Sequence, residues 1–140
     1  MYISTTFELT ADGPPSIVVP LFGADRERVW AEGWAPRFIH PSPAADRPGM
    51  VFAVGDATWI NTRFDVAAGD IQYAYVVPDA MTALISIRAT ARGDATHVVV
   101  TYERTSLTPA ADERVRALAE QDRSAGPAWA RETNAYLASA

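Results

Sequence analysis

The chain has 140 residues, 49% hydrophobic and 21% charged, with a net charge of −5; the composition is globular, and no apolar run approaches the ~18–20 residues that cross a bilayer. The acidic balance excludes an ordinary nucleic-acid partner, since phosphate backbones are bound by clustered Lys and Arg, and here there is no lysine and the 12 arginines are scattered. With no cysteine, disulfides, thiolate nucleophiles and Cys-type zinc sites are impossible.

A chain of this length is expected to form one domain over residues 1–140. Its start, MYISTTFELT, has no basic region followed by an apolar stretch. No secretory signal is therefore expected, and a cytoplasmic location is.

Residues 2–10 alternate, with Ile3, Thr5, Phe7 and Leu9 on one face, and predict a first strand. The cluster Asp12-Gly13-Pro14-Pro15 ends it. Residues 16–22 predict a short helix capped by Ser16 and limited by Pro20. Asp25 is expected to cap a second short helix over 26–32 that closes at Gly33. Ile17, Val18, Leu21, Phe22, Val29 and Trp30 would form the apolar surface between the two.

From Trp34 the pattern becomes β. Residues 37–40 predict a strand closed by Pro41, and 41–48 a proline-rich loop. Strands follow at 50–54, 57–66, 71–77, 81–91 and 96–108. Arg92-Gly93-Asp94 forms a tight hairpin turn before the last of them. In the strand at 57–66, alternation puts Trp59, Asn61 and Arg63 together. After Pro109 the period becomes helical. Val115, Leu118, Ala119, Asp122, Trp129, Thr133, Tyr136 and Leu137 form one stripe, with a kink or break expected at Gly126-Pro127. The order is α+β: a curved antiparallel sheet of about seven strands, two short helices after the first strand, and a long C-terminal helix that must cover one face. Such a cover often leaves a cavity beneath it.

That order, with the stretches VVPLFGADRERVWAEGW, GMVFAV, TWINTRFD, THVVVTYERTSLTP and the terminal NAYL, resembles the START/Bet v 1-like (SRPBCC) superfamily, and within it the uncharacterised bacterial proteins of polyketide cyclase/dehydrase type. The resemblance spans nearly the whole chain. It implies a helix-grip fold around an internal cavity. It also implies binding of a lipid or another small hydrophobic or aromatic molecule, or, in a minority of members, catalysis.

The residues themselves limit the chemistry. Neither His40 nor His97 has a second ligand at a metal-binding spacing, and no metal is expected. No nucleophile elbow and no glycine-rich phosphate loop is present, so no cofactor is expected either. His40 is the one weak candidate for a catalytic base: it shares a strand face with Phe38 and is expected to look toward the cavity, although a structural role is the simpler reading.

Aromatic residues spread over separate elements are the strongest signal. Trp34, Phe38, Trp59, Tyr73, Tyr102 and Trp129 are candidate ligand-binding residues, with plain core packing as the competing reading. Arg63, Arg104 and His40 are candidate polar tips. Arg104 falls on the face with Val98, Val100 and Tyr102. If buried there it needs an anionic partner; an internal carboxylate, or a snorkelled surface position instead, is the favoured reading, with a ligand anion as the alternative. Glu103, on the opposite face, is expected at the surface.

Three functions follow in order: binding of a small hydrophobic or aromatic molecule; a cyclase/aromatase-like enzyme using the same cavity; and a protein-interaction module using the outer sheet face or the loop at 41–48. No membrane insertion is expected, and both monomer and homodimer are compatible with the sequence.

Overall fold

In the computed structural model, which describes residues 1–140, the strands are β1 (Tyr2–Ala11), β2 (Arg37–His40), β3 (Val51–Val54), β4 (Ala57–Asp65), β5 (Asp70–Val77), β6 (Met81–Arg92) and β7 (Ala95–Ser106). They form one antiparallel sheet in the order β1-β7-β6-β5-β4-β3-β2. Every neighbour except β1–β7 is also a neighbour in sequence. Turn-rich connections between alternating strands favour this hairpin succession. The β-branched run Val98-Val99-Val100 lies in a central strand, where Val98 and Val100 are fully buried.

Between β1 and β2 the chain forms α1 (Pro15–Val18) and two 3-10 turns, Val19–Phe22 and Arg26–Val29. The first helical stretch, 15–22, covers the expected one as an α turn followed by a 3-10 turn, while the second stops at Val29, three residues short of the expectation, and the caps of both differ. Ser16 lies inside α1, whose cap position is Pro14. Asp25 makes no capping bond; its carboxylate pairs with Arg28 instead. Asp46, from the proline-rich loop, takes over the role, accepting the backbone N–H of Asp25 at 2.9 Å and of Arg26 at 3.1 Å. Gly23 permits this approach, since a Cβ there would collide with the Asp46 carboxylate. Of the expected apolar surface, Val18, Leu21, Phe22 and Trp30 are buried, but Ile17 and Val29 face solvent. One-turn helices have too few residues to bury both ends of that stripe.

The C-terminal cover is two helices, α2 (Asp112–Arg123) and α3 (Ala125–Ser139), preceded by a 3-10 turn at Pro109–Ala111. The break falls at Ser124, two residues before the expected kink. Pro127 sits in the first turn of α3, where its missing N–H removes no helical bond. Gly126 lets α3 lie against β1: a Cβ there would stand 2.6 Å from the Glu8 carbonyl oxygen. The predicted stripe turns inward, with Val115, Ala119, Asp122 and Thr133 buried. The core beneath unites 24 buried apolar residues from sheet, short helices and α2.

Candidate functional site

Two groups of aromatic rings flank the inner face of the sheet. Around Trp129 of α3 stand Phe7, Trp30 and Phe22, with ring centres 5.1, 5.6 and 6.0 Å away. Around Trp59 of β4 stand Tyr75, Phe52, Trp34 and Tyr73, at 4.8 to 5.9 Å. Edge-to-face and offset contacts at these spacings are favourable and hold the rings rigidly. The polar atoms are tied down as well. Trp30 Nε1 donates to the Leu21 carbonyl at 2.6 Å, Trp34 Nε1 to Ala24 at 2.8 Å, and the Tyr73 hydroxyl to Phe22 at 2.9 Å. All three acceptors lie on the segment at 21–24, so the short-helix region fixes both ring groups.

Between the groups lies a partly open cavity of about 270 Å³. Trp34, Phe52, Trp59 and Tyr73 form one side, Trp30, Tyr102 and Trp129 the other, and Ile85 and Ile87 of β6 complete the lining. Thus Trp34, Trp59, Tyr73, Tyr102 and Trp129, singled out by sequence, surround one space. The indole Nε1 of Trp59 and the side-chain amide of Asn61 are buried without hydrogen-bond partners.

The other candidates lie elsewhere. Phe38 packs behind the wall, its ring 6.0 Å from Phe52 and covered by the Arg28 guanidinium. His40 is exposed on the edge strand β2, where a register shift between Phe38 and His40 breaks the expected alternation; it does not face the cavity. Arg63 is exposed and paired with Asp70 at 2.8 Å. A bulge between Asn61 and Arg63 turns its side chain away from the face of Trp59 and brings Phe64 inward. Glu103 accepts the Tyr2 hydroxyl at 2.7 Å on the outer side.

Arg104 is buried and has its anion inside the protein. Its guanidinium bonds the Asp122 carboxylate of α2 and donates through Nε to the Tyr75 hydroxyl at 3.1 Å. The Thr5 hydroxyl donates to the same carboxylate at 3.1 Å. The cation also covers the Tyr102 ring at 4.4 Å. Burial opposes the charge on Arg104, but the Asp122 and Tyr75 bonds outweigh it and raise its pKa. This network lies behind the cavity wall rather than in it.

Sequence reasoning missed Glu27. It stands between two arginines in a charged triplet, the usual mark of a solvated turn, yet it is only 8% exposed and lines the cavity. Arg26 turns outward to the Tyr136 hydroxyl at 3.3 Å, and Arg28 to Asp25. The Glu27 carboxyl has neither an ion pair nor a hydrogen bond. Burial, and then the nearby Asp46 carboxylate, push its pKa well above the usual range. Burial likewise raises Tyr73 and Tyr102, with Glu27 among the charges that add to both. Glu32 and Glu132 also line the cavity, and the Glu132 carboxylate accepts the Glu32 backbone N–H at 3.1 Å. No helix is long and apolar enough to cross a membrane.

No family model matches the chain, and no curated protein matches it by sequence. Solved structures do match in shape. Ara h 8.0201 superposes with a TM-score of 0.72 at 14% identity, covering 100% of both chains. Norcoclaurine synthase from Thalictrum flavum, in complex with dopamine and hydroxybenzaldehyde, gives 0.69 at 11% identity over 99% of this chain and 87% of that one. The Mll3558 protein from Rhizobium loti gives 0.65 at 18% identity over 97% of each. At these identities the likeness establishes the fold, the Bet v 1-like helix grip, and leaves function to the site itself.

Proposed function

Starting from the Bet v 1-like helix-grip fold, we propose that this protein binds a small aromatic molecule of one or two rings between the sheet and α3. The carrying observation is the cavity of about 270 Å³ walled by rings from six separate elements or loops and opening to solvent. Its size lies between a ~150 Å³ cavity that takes benzene and the ~300 Å³ lower end of ordinary ligand sites. Trp34, Trp59, Tyr73, Tyr102 and Trp129 are the proposed walls, joined by Trp30 and Phe52. The one-ring molecules held by norcoclaurine synthase are of a size that agrees with this reading. A cyclase-type reading of the same cavity needs an acid–base group inside it, and Glu27, rather than His40, occupies that place.

The test is calorimetric titration with 2-naphthol. Saturable binding of one molecule per chain is expected, and Ala31→Trp, which adds a large ring to the cavity lining, should abolish it while the circular dichroism spectrum is kept. Absence of binding to the folded wild-type protein removes the proposal.

A further inference from the structure

We propose that the cavity selects a cationic ligand, an aromatic ring carrying a short alkylammonium chain, with Glu27 as the inner counter-charge. The inference rests on the cavity being a ligand site and adds the chemical class of the ligand.

Every charged residue lining the cavity is acidic: Glu27 within, and Glu32 and Glu132 as well. No arginine or histidine lines it. The two arginines adjoining Glu27 in sequence are held outward by Tyr136 and Asp25. The decisive group is Glu27 itself. Glu27 is only 8% exposed and lines the cavity, no protein group hydrogen-bonds its carboxyl, and a carboxyl so far removed from water is rare unless something completes it. A ligand ammonium would supply the missing donors and charge, while its ring would fit among indoles and phenols, whose faces also attract cations. An anionic ligand would meet the Glu32 and Glu132 carboxylates and no compensating cation, and would keep Glu27 from ionising, so the cavity disfavours it. The chain's net charge of −5 adds long-range attraction for a cation.

Binding has a protonic consequence. Glu27 is held towards its neutral form by burial and by Asp46 from the loop at 41–48. The groups around it are the phenols of Tyr73 on β5 and Tyr102 on β7, with Glu132 on α3 and Glu32 beside the cavity. None of these supplies a cation. Pairing with an ammonium ionises Glu27, and the released proton passes to the buffer.

The experiment compares tryptamine, tryptophol and indole-3-acetate, which share a ring and differ in charge, by calorimetry at pH 7. Tryptamine is expected to bind at least about tenfold tighter than tryptophol, with indole-3-acetate weakest. The tryptamine heat, unlike the tryptophol heat, should vary with the ionisation enthalpy of the buffer. In Glu27→Gln the ratio of tryptamine to tryptophol affinity should shrink to about threefold or less. Tryptophol binding as tightly as tryptamine overturns the cationic class and leaves the cavity reading standing. Failure of all three to bind overturns both. An unchanged tryptamine advantage in Glu27→Gln overturns the role of Glu27; should that variant not fold, the wild-type comparison and its buffer dependence decide alone.

Discussion

Glu27 couples the empty protein's stability to pH. Its native pKa lies above the unfolded value of about 4.3, so the folded state keeps a proton that the unfolded chain gives up. The stability this contributes is complete below the unfolded pKa and declines as pH rises towards the native one, by at most about 1.4 kcal/mol per pH unit for one proton. Urea unfolding between pH 5 and 8 should show a decline in the wild type that is shallower in Glu27→Gln; equal slopes contradict it. The raised pKa of Asp46 acts in the same direction, and because its largest cause is burial it persists in Glu27→Gln, so the variant keeps a residual slope. Nothing local in the sequence announces Glu27, because Arg-Glu-Arg reads as solvated and only the tertiary placement of a one-turn helix buries it. Arg104 was more legible. It falls on the alternating face of a Val-rich strand, where a charge calls for an internal carboxylate, although nothing in the stripe of the covering helix marks Asp122 as that partner.

At the scale of elements, the outcome turns on close approaches. Gly126→Ala places a methyl against the Glu8 carbonyl, and backbone cannot yield as a flexible side chain can. A loss of about 1–3 kcal/mol is expected in chemical denaturation, of the order seen when a packed site is overfilled; a variant as stable as wild type would show that α3 can shift freely. Strand identities were readable from alternation and turn residues, and the helical stripe from its period. What alternation cannot reveal is where it slips. The irregularities between Phe38 and His40 and between Asn61 and Arg63 sent two of the three proposed polar tips, His40 and Arg63, to the outside. Capping was misread for a similar reason, since Asp46 reaches the short turn from 20 residues away in sequence.

For the molecule as a whole, the buried Arg104–Asp122 pair is the principal polar tie between cover and sheet, touching β1 through Thr5 and β5 through Tyr75. Asp122→Ala leaves a buried cation unpaired and is expected to cost about 3–5 kcal/mol in urea unfolding. Replacing both partners, as Arg104→Met with Asp122→Leu, should cost markedly less than the single change. A double variant at least as unstable as Asp122→Ala would assign the tie a role beyond charge pairing. Overall architecture was legible because hairpin succession followed by a helical period leaves few arrangements open. The cavity's contents were not, because the walls are aromatic by sequence but the charge among them depends on the fold.

The pairing of β1 with β7 joins residues 2–11 to residues 96–105. During synthesis the first strand therefore emerges long before its only partner. It must wait through the making of five other strands with its inward apolar row, Phe7 and Leu9, uncovered. Contacts so distant along the chain make closure slow compared with the successive hairpins that precede it. Trp129, which completes the cavity, emerges later still. The cavity therefore takes shape only after the sheet has closed, and the nascent chain's greatest exposure to aggregation falls in the interval before β7 arrives.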